Sequence, residues 1–127
     1  MRTKYSQNLS GASSKTAGRA ALVLDVGTTG VKAFVFGEDE RVLSRASLPL
    51  SKSFPQKEWV EQDPFQILAV SKRVLQEALS QSGQKADDIA RIGIANQRET
   101  TILWYRATGE PVYPAIVWED KRNKTVC

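Results

Sequence analysis

Residues 20–36, AALVLDVGTTGVKAFVF, hold an apolar run, one carboxylate, a glycine- and threonine-rich turn and a second apolar run. The first run, residues 20–24, is short and wholly apolar, which predicts a strand buried on both faces. Residues 31–36 are rich in β-branched and aromatic residues, and they are predicted to run back beside it. The turn at 27–30 places free backbone N–H groups and two hydroxyls next to Asp25, an inventory suited to a metal-bound phosphate. An ordinary hairpin turn capped by its own aspartate is the alternative that this stretch leaves open.

Composition limits the kinds of protein that this chain can be. Its 127 residues give room for one domain or for part of a larger one, and no apolar run approaches the roughly 20 residues of a membrane span. Four basic residues and no acid lie in residues 1–19, which accounts for the whole net charge of +4. The balanced charge of the remaining chain gives no indication of nucleic-acid binding.

The chain lacks the side chains that several kinds of catalytic and metal sites require. Histidine does not occur and Cys127 is the only cysteine, so this chain contains no Ser-His-Asp triad, Cys-His pair, usual zinc cluster or internal disulfide. The lack of a disulfide is compatible with a cytoplasmic location, which is the default expectation. Residues 1–19 lack the apolar centre of a secretory signal and are expected to be a disordered, basic, serine-rich leader. Their basic character leaves organelle targeting open.

The next elements are predicted from turn and helix signals. Residues 41–50 continue as a third strand, and three strands with short connections form an antiparallel meander. After a loop at residues 51–62, Asp63 is the expected N-cap of a helix that ends at Gly83. Its apolar positions recur at helical spacing and therefore form a stripe that covers one face of the sheet. Gln66 is placed to complete a capping box.

The last third of the chain is predicted to return to the sheet. The apolar segment 88–95 follows the helix, so it should be a strand reached by a crossover. Residues 100–105 and 112–117 are predicted as two further strands.

A second polar cluster, NQRET at residues 96–100, lies where one predicted strand ends. Arg98 offers a fork of donors and Glu99 an ionised acceptor, so the two can grip neighbouring hydroxyls of a polyol. Sheets of the α/β class usually bind ligands at strand ends, which favours a site. A solvated surface ion pair is the alternative.

Several segments together resemble the FGGY family of carbohydrate kinases, and within it the glycerol kinases over their N-terminal part. The similar segments are DVGTTG at 25–30, FPQKEWVEQDP at 54–64, GIANQRETT at 93–101, LWYRATGEPVY at 103–113 and AIVWEDKR at 115–122. The resemblance covers residues 20–127. It implies an α/β fold of the ribonuclease H-like, actin-type ATPase class, of which this chain would be the incomplete N-terminal part of the first domain.

The resemblance also implies roles for individual residues. Asp25 would face Mg²⁺ through water. Arg98 and Glu99 would bind the substrate hydroxyls, and Trp118 would pack against the substrate's carbon backbone. A purely structural role is the alternative for Trp118, since large aromatic side chains are usually core. The residues that would contact the phosphates of ATP are Thr28, Thr29, Gly30 and Lys32.

Two departures from the glycerol branch bear on the substrate. That branch usually has Gln after the first Asp and Ser-Ser-Arg after the two Thr, whereas this chain has Val26 and GVK at 30–32, closer to the pentulose and gluconate kinases. Lys32 keeps the charge of Arg but loses its bidentate fork. The implied function is ATP-dependent phosphorylation of glycerol to sn-glycerol 3-phosphate by a full-length parent. The alternatives are a kinase of another polyol or sugar, or a non-catalytic binding module.

Family members are several times longer than this chain. The general base and the adenine pocket are therefore expected beyond Cys127, no catalytic residue is assigned within the chain, and the polypeptide alone is expected to be inactive. The implied partners are a polyol substrate and ATP, with no nucleic acid. A homo-oligomer of the full-length parent is left open.

Overall fold

A computed structural model describes residues 19–124, so the predicted leader at residues 1–19 lies, apart from Arg19, outside the described residues. The elements in chain order are β1 (Ala20–Val26), β2 (Gly30–Phe36), β3 (Val42–Pro49), β4 (Glu61–Gln62), α1 (Pro64–Ser82), a short 3₁₀ helix (Ala86–Asp88), β5 (Ile89–Asn96) and β6 (Ala115–Ile116). Within residues 19–124, no helix is long and apolar enough to cross a membrane.

The first three strands form the predicted antiparallel meander. β2 pairs with β1 on one side and with β3 on the other. β5 returns after the helix and lies parallel to β1, which gives a mixed sheet of order β3-β2-β1-β5. This arrangement confirms the predicted crossover.

Helix α1 begins and ends where the sequence predicts. The Asp63 carboxylate accepts a hydrogen bond from the backbone N–H of Phe65 at 2.8 Å, Pro64 is the first helical residue, and Gly83 ends the helix with φ of +73°. The predicted capping box is wrong, because the side-chain oxygen of Gln66 accepts from the backbone N–H of Ser51 at 3.0 Å. The helix is thereby tied to the segment that follows β3.

The core lies between α1 and one face of the sheet. Val31 and Val35 of β2 and Val74 and Ala78 of α1 are fully buried there. Residues 20–24 are not buried on both faces as predicted: every second side chain of β1 is buried and those between are half-buried. The helix covers only one face of the strand, so the alternation follows from the pleat.

The two strands predicted at residues 100–105 and 112–117 are wrong in extent. This region holds only the two-residue strand β6, which pairs with β4, and two isolated bridges, Thr101 to Ile116 and Trp104 to Pro111. Proline has no N–H to donate, so Pro111 and Pro114 prevent a longer ladder. The pairing partner of β6 lies in residues 51–62, a segment that the sequence predicts to be a loop.

Candidate functional site

The turn between β1 and β2 is closed tightly and packed against β3. The backbone N–H of Gly27 donates to the carbonyl of Gly30 at 2.9 Å, and the N–H of Leu50 donates to the carbonyl of Thr29 at 3.0 Å. A Cβ atom at Gly30 would lie 2.7 Å from the carbonyl oxygen of Leu48. Glycine at this position lets the third strand approach the turn closely.

The segment that follows β5 lies beside this turn because β5 and β1 are parallel neighbours. Val26, the last residue of β1, is paired with Asn96, the last residue of β5. The next residue, Gln97, donates through Nε2 to the carbonyl oxygen of Gly27 at 3.2 Å. Glu99 adopts a left-handed backbone with φ of +63°, an uncommon conformation outside glycine. Such positions concentrate at ligand sites.

A cavity of about 450 Å³ lies between the turn at residues 27–30 and the segment that follows β5. It brings together Thr28, Arg98, Glu99 and Trp118. Trp118 reaches it from a distant part of the chain, and its Nε1 donates to the Thr28 hydroxyl at 3.0 Å. Trp118 is 56% exposed, so it is not a buried core residue, which is what the purely structural alternative expects. The cavity therefore combines a guanidinium, a carboxylate and an aromatic wall.

The other predicted residues line a second cavity of about 320 Å³ at the same turn. Asp25 and Lys32 are paired across β1 and β2, and both contribute to its wall. Ser47, the β3 partner of Lys32, also lines it. The predicted phosphate residues in this cavity are Thr29, Gly30 and Lys32. Thr28 lines the first cavity instead, so residues of this one turn line both cavities.

A buried network of ion pairs joins the segment after Trp118 to β4. Its members are Glu61, Asp120 and Arg122. Arg122 donates through Nη2 to Glu61 at 2.8 Å and to Asp120 at 2.7 Å. The Asp120 carboxylate also accepts from the backbone N–H of Val60 at 2.7 Å, and the Tyr113 hydroxyl donates to Glu61 at 3.0 Å. These contacts tie the segment after β6 to β4.

The network changes the acidity of its members. Hydrogen bonds from the Arg122 guanidinium, opposed by burial, lower the pKa of Asp120 from its ordinary 3.8 to about 2. The same contact raises the pKa of Arg122 above its ordinary range. The Arg122 guanidinium also stacks over the Trp59 ring, 3.8 Å from the ring centroid. Both charges are thus satisfied within the fold, two and four residues beyond the candidate site residue Trp118.

Three residues that organise the site are not among the predicted site residues: Gln62, Gln97 and Asp120. Gln62 is only 2% exposed, yet it is polar and lies in the short strand β4. Each of the three lies inside a segment that carries the family resemblance, which is the one signal available in the sequence. Their roles depend on partners far along the chain.

Comparison with known proteins agrees with this geometry. Residues 20–127 match the N-terminal domain of the FGGY family of carbohydrate kinases. The chain is 45% identical over 106 residues to a glycerol kinase of Pseudomonas fluorescens and 44% identical to one of Vibrio cholerae. Each alignment covers 84% of this chain and 21% of the relative. The chain therefore spans about a fifth of the length of the curated relatives that it matches.

Solved structures show the same fold. Plasmodium falciparum glycerol kinase with ADP superimposes with a TM-score of 0.76 at 32% identity, over 86% of this chain and 22% of that one. Xylulose kinase from Rhodospirillum rubrum superimposes with a TM-score of 0.75 at 28% identity, over 82% and 21%. The predicted ribonuclease H-like, actin-type fold is confirmed. By the match of residues 20–127 and by its fold, this chain belongs to the FGGY family of carbohydrate kinases.

Proposed function

We propose that the protein carrying this chain is a glycerol kinase, which transfers the γ-phosphoryl group of MgATP to a terminal hydroxyl of glycerol and forms sn-glycerol 3-phosphate. The observation that carries the proposal is the first cavity, where Arg98, Glu99 and Trp118 lie together beside the turn at residues 27–30. The similarity to glycerol kinases at 44–45% identity supports the choice of substrate.

The proposed substrate contacts follow from the chemistry of the cavity wall. Glycerol presents three hydroxyls on a short carbon chain. Arg98 can donate hydrogen bonds to the oxygens of two adjacent hydroxyls of the substrate, and Glu99 can accept hydrogen bonds from the O–H groups of such hydroxyls. The indole of Trp118 offers an apolar surface to the carbon atoms.

The proposed phosphate contacts lie in the second cavity. The N–H groups of the turn and the Thr29 hydroxyl can cradle phosphate oxygens, and Lys32 supplies a positive charge near the transferred group. Asp25 alone contributes a carboxylate, and within residues 19–124 no group of three or more carboxylate or cysteine side chains could hold a metal ion. This donor set suits Mg²⁺, which commonly binds one carboxylate, nucleotide phosphates and water. Among the described residues we assign no general base.

A second candidate is a kinase of a pentulose or of gluconate in the same family. Val26 and Lys32 favour it, because these residues on either side of the turn at residues 27–30 (the phosphate turn) depart from the usual glycerol pattern. The structural similarity to a xylulose kinase at 28% identity is also compatible with it.

A substrate panel separates the candidates. The protein expressed from its complete reading frame is assayed with MgATP against glycerol, xylulose, ribulose and gluconate. We expect kcat/KM for glycerol to exceed that for each of the others by at least about tenfold, a difference of about 1.4 kcal/mol in transition-state binding. A preference for one of the sugars would replace glycerol as the substrate, and no turnover of any of them would refute the kinase proposal.

A further inference from the structure

Two glutamine side chains hold the carbonyl groups of the phosphate turn. Gln62 donates through Nε2 to the carbonyl oxygen of Thr28 at 2.8 Å. Gln97 donates through Nε2 to the carbonyl oxygen of Gly27 at 3.2 Å and to Oε1 of Gln62 at 2.9 Å. The two successive carbonyls of the turn are thus bound by one side chain from strand β4 and by one from the residue that follows β5.

Each amide has one orientation that satisfies all of its contacts. A backbone carbonyl can only accept, so the NH₂ groups of Gln62 and Gln97 must face the turn. The Oε1 atom of Gln97 then faces Thr100, whose hydroxyl donates to it at 2.8 Å. The hydrogen bonds run in one direction, from Thr100 through Gln97 and Gln62 to the turn.

Holding these carbonyls also orients the N–H groups of the turn. In a trans peptide the C=O and the following N–H point in opposite directions across one plane. Because the carbonyls of Gly27 and Thr28 point toward the glutamine side chains, the N–H groups of Thr28 and Thr29 point away from those side chains. Among the backbone hydrogen bonds of the described turns and loops, none is donated by the N–H of Thr28 or of Thr29.

We propose that Gln62 and Gln97 are positioning residues, an amide clamp that presents the Thr28 and Thr29 N–H groups to the nucleotide phosphate. The clamp also sets the spacing between the phosphate turn and Arg98, because Arg98 directly follows Gln97 in the chain. This inference rests on the proposed kinase function of the turn. It assigns a positioning role to Gln62 and to Gln97, the second of which also lines the first cavity.

Replacement by methionine tests the clamp in the protein expressed from its complete reading frame. Gln62→Met and Gln97→Met keep the side-chain length and remove the donors. Gln76→Met, on the exposed face of α1, is the matched control. The readouts are MgATP affinity by calorimetry, kcat, KM for glycerol and thermal midpoint.

We expect Gln62→Met to weaken MgATP binding at least tenfold and to leave KM for glycerol within twofold. Gln97→Met should weaken MgATP binding and also raise KM for glycerol several-fold, because this residue holds the turn and precedes Arg98. The control should change neither quantity by more than twofold. A merely structural role would lower the thermal midpoint while the folded variants kept wild-type affinity and KM.

The outcomes distinguish this inference from the proposed function. If the wild-type protein binds no MgATP, both fail together. If the wild-type protein binds MgATP and phosphorylates glycerol, and both variants bind MgATP within twofold of it, the clamp is refuted and the function stands. If Gln62→Met does not fold, Gln97→Met decides, because this side chain is only half-buried and its removal leaves the core intact.

Discussion

At the residue scale, the close approach of Gly30 to Leu48 makes this glycine structurally necessary. We expect Gly30→Ala to lower the free energy of unfolding by about 1–3 kcal/mol, since the added Cβ would lie 2.7 Å from a backbone oxygen. Gly93→Ala is the matched control, because its Cβ would meet Val23 at an ordinary 3.7 Å. Urea denaturation of the protein from its complete reading frame measures both. An equal loss at the two positions would contradict the argument.

Arg98 is expected to act through its shape as well as its charge. Arg98→Lys keeps the charge but loses the bidentate fork, so we expect KM for glycerol to rise about tenfold or more while KM for MgATP changes little. Arg91→Lys makes the same change at an exposed position earlier in β5 and should leave both KM values unchanged. Steady-state kinetics with each substrate varied in turn give the answer. An unchanged KM for glycerol would remove Arg98 from the proposed site.

At the element scale, the correct predictions are those that depend on neighbouring residues in the sequence. The Asp63 cap, Pro64 and Gly83 act within one or two turns of α1, so its limits can be predicted from neighbouring residues. The short strand β4 has no comparable local pattern. It pairs with β6 more than 50 residues later.

The ion network gives this part of the fold a dependence on acid. The folded-state pKa of Asp120, about 2, lies below its ordinary 3.8. Its contribution to stability is therefore complete above about pH 4 and is lost as the pH falls toward about 2. Asp120→Asn should flatten the fall in the free energy of unfolding over this interval, measured by urea denaturation at several pH values. Asp87→Asn, at an exposed site, is the control; equal slopes in wild type and Asp120→Asn would disprove the coupling.

At the scale of the whole molecule, α1 packs against β1, β2 and β3 and leaves most of β5 uncovered. Ile92 and Ile94 are 66% and 69% exposed, although they are paired with the buried Leu22 and Leu24 of β1. An apolar strand at a sheet edge favours association and loose packing.

We therefore expect the purified 127-residue polypeptide to bind an apolar dye and to melt without a sharp transition. We also expect no ATP-dependent phosphorylation of glycerol by it, because phosphoryl transfer requires nucleotide, metal, acceptor and base to be positioned together. Calorimetry, dye fluorescence and a coupled kinase assay test these expectations. A cooperative melt would contradict the first, and turnover of glycerol would contradict the second.

The sequence by itself determined the antiparallel meander, the helix limits, the crossover to β5 and the family, because each depends on local patterns or on short motifs. Tertiary structure alone decided how the motifs meet. The parallel pairing of β1 and β5 brings residues 96–99 beside the turn at residues 27–30, and the hydrogen bond from Trp118 to Thr28 joins residues 90 positions apart. Gln62 likewise contacts the candidate site only through its hydrogen bonds with Thr28 and Gln97. No local pattern encodes such contacts, since their free energy is gained only when distant segments have already folded against one another.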